Sequence, residues 1–222
     1  GIILFMRYVK ELNNKNPDKP FLYSYRRCPY AMRARMAMLS ASFEFDIYEI
    51  SLRDKPKEML KISPKGTVPV LIIGNNIIDE SLDIMIWAYN ISDRSDHYIS
   101  LSKSEKNNAR ELINLNDIDF KLHLDKYKYS SNQKEFNQDK LYENCLFFIN
   151  RIESNLCENK FLINNKISIA DVAIFPFIRQ FANVNFNRFV KGKFKKTISW
   201  FEIMKKQDLF SKAMEKPSVK SL

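Results

Sequence analysis

A chain of 222 residues, 45% of them hydrophobic and 28% charged, is long enough to bury one sizeable core or two smaller ones. The formal net charge is +10, but the basic residues are spread along the chain with acids among them, and the densest cluster (KGKFKK, 191–196) reads as a solvated loop, which argues against a nucleic-acid partner. No apolar run reaches the roughly eighteen residues of a membrane span, and three cysteines without paired spacing exclude a disulfide framework and point to a reducing, cytoplasmic compartment.

The opening GIILFM is too short for the apolar core of a signal sequence, and no basic segment precedes it. Gly1 in place of methionine suggests that residues have been removed ahead of it. Residues 1–18 read as an amino-terminal extension, polar from Arg7 onward. A first domain is expected over 19–92. Within it FLYSY (21–25) predicts a strand, and from Pro29 the run of Ala, Met and Leu predicts a helix. FEFDIYEI (43–50) alternates as a second strand, and a strand–helix–strand unit of about thirty residues predicts that the two strands are parallel. KPKEMLKIS then reads as a short helix, TVPVLII and NIIDES as a hairpin around Gly74 and Asn75, and SLDIMIWAYNI as a helix.

Residues 93–101 read as a linker and 102–222 as an all-helical domain. Apolar residues at helical spacing predict helices over 103–126, on Leu112, Leu115, Ile118 and Leu122, and over 137–156, on Leu141, Cys145, Phe148 and Ile152. YKYSSNQKEFN between them is expected to be a loop. Cys145 and Cys157 read as buried, inert thiols. In KISIADVAIF, Ser168 and Asp171 form a capping box, flanked by Ile167 and Val172 as a hydrophobic staple, with Pro176 inside the following helix. The two histidines, His97 and His123, stand in no tight cluster with cysteine, so no metal site is expected.

The chemistry concentrates in RRCPYA, residues 26–31. Cys28 is the predicted N-cap of the first helix, with Pro29 at its first position and Arg26 and Arg27 just upstream. Unpaired helix amides and nearby cations favour a thiolate, which is the nucleophilic form of cysteine. A buried cysteine at a strand–helix junction is the competing reading. Ala31 stands where a second cysteine would complete C-x-x-C, so a mixed disulfide on Cys28 would need an external thiol to resolve it. Tyr23, Ser24 and Tyr25 offer hydroxyls nearby and rank below Cys28.

FLYSYRRCPYAMRARM, SPKGTVPVLII and IIDESLDIM, in this order and spacing, resemble the amino-terminal domain of cysteine-type glutathione transferases of the omega class and their bacterial relatives, which are similar to glutaredoxins. The resemblance is close over 21–91 and looser beyond 100. It implies a thioredoxin-like α/β domain followed by an all-α domain, with glutathione as co-substrate. It also implies that Cys28 is the catalytic cysteine and that Val68 precedes a cis Pro69, offering its backbone to the glutathione cysteinyl unit. Glu80 and Ser81 then hold the γ-glutamyl end, Ser81 as cap of the next helix. Lys55 reaches the glycyl carboxylate, and Tyr30 forms a wall of the site. Of Arg33 and Arg35, at least one is expected to be solvated or salt-bridged. The implied activity is single-cysteine thiol transfer, by deglutathionylation or dehydroascorbate reduction, on a disulfide or electrophilic substrate, in a cytoplasmic homodimer. The alternative is a non-catalytic regulatory protein of the same fold that binds RNA polymerase or another partner.

Overall fold

The computed structural model describes residues 5–130 and 137–217. By their contacts they fall into two compact units, one running to Ile99 and taken up again from Asp208, the other Ser100–Gln207. The expected loop 127–137 lies partly outside the described residues: the helix before it runs to Ser130, and 131–136 are not described. Among the described residues no helix is long and apolar enough to cross a membrane.

The first unit is built on a five-stranded sheet in the order β1 (Met6–Tyr8), β3 (Phe45–Glu49), β2 (Phe21–Ser24), β4 (Val70–Ile73), β5 (Asn76–Ile78). β2 is central and buried along its whole length, as a strand covered on both faces must be. It runs parallel to β3, with α1 (Pro29–Ser40) as the crossover, and antiparallel to β4, which turns through Gly74 into β5. α2 (Lys57–Ile62) and α3 (Ser81–Asn90) complete the order expected from sequence.

Two features differ from that expectation. The polar extension contains β1, an edge strand parallel to β3. It is fastened by a bidentate pair: Arg7 Nε and Nη2 each donate at 2.8 Å to the buried Asp46 carboxylate, which also accepts the Asn16 amide. The segment from Asp208, read with the helical domain, packs instead in the first unit, where α10 (Asp208–Ala213) lies against α1.

The linker is likewise packed rather than free. Ser95 is buried, and its hydroxyl lies 2.7 Å from Ser40 Oγ, which is 3.1 Å from His97 Nδ1. The Tyr89 ring meets the imidazole edge-on. Burial pushes the pKa of His97 down to about 4, against the raising pull of Asp96.

The regular elements of the second unit, among its described residues, are all helices: α4 (Lys103–Leu115), a π-helical turn (Asn116–Phe120), α5 (Lys121–Ser130), α6 (Gln138–Glu158), α7 (Ile169–Val184), α8 (Phe186–Val190) and α9 (Lys195–Lys205). The π turn changes which face of the first helix is inside. Its register shift leaves Ile118 68% and Leu122 56% exposed, and buries Asn116, Phe120, Leu124 and Tyr127 instead. Phe120 then stacks on Phe148 of α6, and Tyr142 of α6 on Phe181 of α7. Cys145 is buried as expected, but Cys157 is exposed because it falls in the last turn of α6, off the buried stripe through Ile149, Ile152 and Leu156.

The capping box of α7 forms as read. Asp171 is fully buried, and four donors converge on it: the Leu162 and Trp200 N–H groups on one oxygen, the Ser168 amide and hydroxyl on the other. Burial raises its pKa to about 6, and the four donors oppose that rise and leave it ionised at neutral pH.

These two buried groups give opposite pH dependences. His97 titrates near 6.5 when unfolded and near 4 when folded, so stability is lost as pH falls through that window, on the order of 3 kcal/mol in full. Asp171 is raised on folding, so its contribution is greatest at low pH and is lost as pH rises toward 6. In urea titrations at pH 7 and pH 4.5, His97→Gln is expected to lose less stability on acidification than the wild type. A difference between the two that does not change with pH would refute the buried neutral imidazole. Asp171→Ala strands four donors, and a cost on the order of 4 kcal/mol is expected by the same measurement at neutral pH.

Candidate active site

The chain leaves β2 at Ser24 and turns at once. The Cys28 amide donates to the Tyr25 carbonyl at 3.0 Å, and α1 starts with Cys28 as N-cap and Pro29 as its first residue. Proline suits this position, where an amide would have no partner within the helix. The Cys28 side chain is half-buried and takes no capping hydrogen bond from the helix amides. Its thiol lies 3.8 Å from the carbonyl of Val68, to which it donates.

Val68 and Pro69 are buried and joined by a cis peptide bond. Val68 and Ala31 belong to one apolar cluster with Tyr23, Met59 and Val70, and Cys28 and Tyr25 pack against its edge. Cys28, Val68 and Pro69 are thus brought together as the sequence suggested. The Val68 carbonyl, however, is already used by the thiol.

The loop before Val68 gathers the other expected residues. Gly66 adopts φ +66°, and a Cβ there would stand 3.5 Å from the ammonium of Lys55 and 3.2 Å from Leu60. Lys55 is therefore folded over the turn that leads into Val68. Lys65, which no motif flagged, donates to Glu80 at 2.5 Å and lies 3.7 Å from Asp79. Ser63 donates to the other Asp79 oxygen at 2.7 Å. This network closes residues 63–66 against the start of α3.

At that start the structure corrects one assignment. The N-cap of α3 is Glu80, not Ser81, and no side chain caps it. Ser81 is the first helical residue, buried, and its hydroxyl accepts from Arg33 Nε at 3.0 Å. Arg33 also lies with its guanidinium 5.1 Å from the centre of the Tyr30 ring. Neither Arg33 nor Arg35 is solvated: they are 2% and 0% exposed. Arg33 reaches from the first turns of α1 to α3, and so holds Tyr30 and Ser81 on the same end of the unit as Cys28.

The three residues with alternative hydroxyls are placed differently. Tyr23 is in the core, edge-on to Phe21, and burial pushes its pKa up to about 12. Ser24 accepts from Arg35. Tyr25 packs beside Cys28. Among the described residues, the free thiols Cys145 and Cys157 belong to the second unit and are no part of this arrangement.

Comparison with known proteins supports the same architecture. Residues 22–95 match the family model for the glutathione S-transferase amino-terminal domain, and residues 118–217 match that for its carboxy-terminal domain. A probable glutathione transferase from Aplysia californica is 35% identical over 57 residues, which are 26% of this chain and 62% of that protein. With four further curated relatives the match spans only 27–35% of their lengths. In three dimensions the chain is similar to glutathione transferase Omega 3C from Trametes versicolor, with a TM-score of 0.80 at 14% identity over 93% of this chain and 88% of that one. It is also similar to a glutathione transferase family member from Pseudomonas fluorescens crystallised with two glutathione molecules, with a TM-score of 0.78 at 13% identity over 90% and 93% of the two chains. Matched in order at both of its domains, the chain belongs to the glutathione S-transferase family.

Proposed function

We propose that the protein is a glutathione-dependent thiol transferase in which Cys28 is the nucleophile. The observation that carries this reading is the meeting of the Cys28 thiol with the Val68 carbonyl at the start of α1, with Ala31 rather than a second cysteine one turn on. Glutathione is the co-substrate. Its cysteinyl unit would lie along the Val68–Pro69 edge, its γ-glutamyl end at Glu80 and Ser81, and its glycyl carboxylate at Lys55, with Tyr30 as a wall. The fit is chemically reasonable: two backbone groups beside a cis proline can pair with an extended peptide, and the first amides of α3 suit a carboxylate. In the free protein Lys65 occupies Glu80, so an incoming ammonium would share or displace it.

The reaction is two exchanges. The Cys28 thiolate attacks the glutathionyl sulfur of a mixed disulfide, forming a Cys28–glutathione disulfide and releasing the substrate thiolate. A glutathione thiolate then attacks the glutathione sulfur of that adduct, giving oxidised glutathione and free Cys28. The second thiol comes from solution because the helix supplies none. We place this chemistry in the cytoplasm, in keeping with three unpaired cysteines, and in a homodimer.

The test uses mass spectrometry after exposure of the intact protein to oxidised glutathione. One glutathione adduct is expected, mapped to Cys28, removed by reduced glutathione and absent in Cys28→Ser. Cys157 is the internal comparison, since it is the more exposed thiol. Modification of Cys157 at an equal or greater rate, or no adduct on Cys28, would overturn the reading.

A further inference from the structure

The sequence drew attention to Arg26 and Arg27 as cations beside Cys28, but the structure points to a different one. Arg27 is exposed, where its charge is screened by solvent, and Arg26 extends Nη1 toward the Met214 carbonyl at 3.5 Å. Arg35, two turns into α1, has no exposed surface, and all five of its N–H groups have acceptors. Nε donates to the Ala213 carbonyl at 2.8 Å. Nη1 donates to Ser24 Oγ at 2.8 Å and to the Tyr25 carbonyl at 3.3 Å. Nη2 donates to the Arg26 carbonyl at 2.6 Å and lies 3.7 Å from the Met214 sulfur.

Two of these acceptors are consecutive carbonyls of the turn that ends at Cys28. The Tyr25 carbonyl takes both the Arg35 Nη1 proton and the Cys28 amide proton. The guanidinium therefore lies directly beneath that turn, and the carboxy-terminal residues Ala213 and Met214 close it off from the other side. A charge held there is poorly screened, and Cys28 is within its electrostatic reach. The other titratable groups facing Arg35 are Tyr8 of β1, Glu49 of β3 and Arg26. Glu49 accepts the Arg26 amide at 2.7 Å through Oε1, while Oε2 is buried without a hydrogen-bond partner. Glu215 stands beside Tyr8, whose hydroxyl donates to its carbonyl at 3.3 Å.

We propose that Arg35 is the positioning residue for Cys28: it fixes the Tyr25–Cys28 turn by its hydrogen bonds and supplies the buried positive charge that favours the thiolate, with the segment from Asp208 as its clamp. The proposal rests on Cys28 being the nucleophile. It adds a requirement that neither the cysteine motif nor the helix start contains, namely that the segment around Ala213 and Met214 is part of the apparatus that sets the thiol.

The test follows the rate of Cys28 alkylation by iodoacetamide against pH, resolved by peptide mass spectrometry, in the full chain. Arg35→Met is expected to move the profile about one pH unit upward, and so to slow alkylation at pH 7 about tenfold. Arg35→Lys keeps the charge and is expected to leave the profile close to that of the wild type. Ser24→Ala, which removes one neutral acceptor, is expected to lower the melting temperature and leave the profile in place. Should Arg35→Met fail to fold, hydrogen exchange of Arg35→Lys decides. Three donors cannot serve five acceptors, so protection is expected to fall at 25–28 and 213–215 and to hold elsewhere. A profile unmoved in Arg35→Met, or exchange in Arg35→Lys that is unchanged or raised uniformly, overturns the role of Arg35 and leaves Cys28 as nucleophile. A wild-type Cys28 that alkylates no faster at pH 7 than Cys157 overturns the nucleophile itself, and this proposal with it.

Discussion

A guanidinium taken out of water must find a partner for each of its five N–H groups, and in the first unit that demand is met from two separate stretches of chain, 24–26 and 213–214. Arg35 draws the end of β2, the turn before Cys28 and the carboxy-terminal segment onto the side of α1. The turn is held by backbone carbonyls, which every sequence has, so the specificity lies in the arginine rather than in the residues it touches. The second unit contains the mirror case. Asp171 is a buried anion with four donors from three places, and it fixes the start of α7 against Leu162 and Trp200. Each unit thus contains a buried charge whose hydrogen bonds tie distant segments together, and a rearranged packing that stranded either would cost several kcal/mol.

The parts of the fold legible in sequence are those where local signals are strong. FLYSY, the helix from Pro29 and FEFDIYEI contain both the periodicity and the turn residues, and they form the parallel β2–α1–β3 unit. Ser168 and Asp171 were legible because a capping box has its own spacing. β1 was not, because three residues in a polar segment have no period to read, and what holds them is Asp46, thirty-nine positions away. Nor could the face of α4 and α5 be read beyond Asn116. Helical periodicity assumes one register, and the π turn changes it midway, so the stripe through Ile118 and Leu122 comes out facing solvent.

At the candidate site, the meeting of Cys28 with Val68 was legible because motif and resemblance agree on both residues. The adjacent cations were misread for one physical reason. An arginine in a helix is ordinarily a solvated residue, and nothing local marks Arg33 and Arg35 as buried. Their partners are Ser81 in α3 and Ala213 in α10, which are distant in sequence. The same blindness hid Lys65. Its role depends on the loop 63–66 closing onto Asp79 and Glu80, and that closure exists only in three dimensions. The α3 cap falls one residue earlier than read because the helical backbone already begins at Ser81, whose hydroxyl accepts from Arg33.

On the thiol-transfer reading, the residue that decides the chemistry is Ala31. It is fully buried in the cluster that also contains Val68 and Met59, one turn along α1 from Cys28. In a helix, positions three apart lie on one face, so this is where a resolving thiol would have to stand to reach a disulfide on Cys28. Instead the position is filled by a methyl group packed into the core. An intermediate formed on Cys28 has no partner within the turn, and the more exposed Cys157 belongs to the other unit. The packing that stabilises the start of α1 therefore also selects for an external thiol. A single alanine links the apolar core of the sheet to the requirement for glutathione in the second exchange.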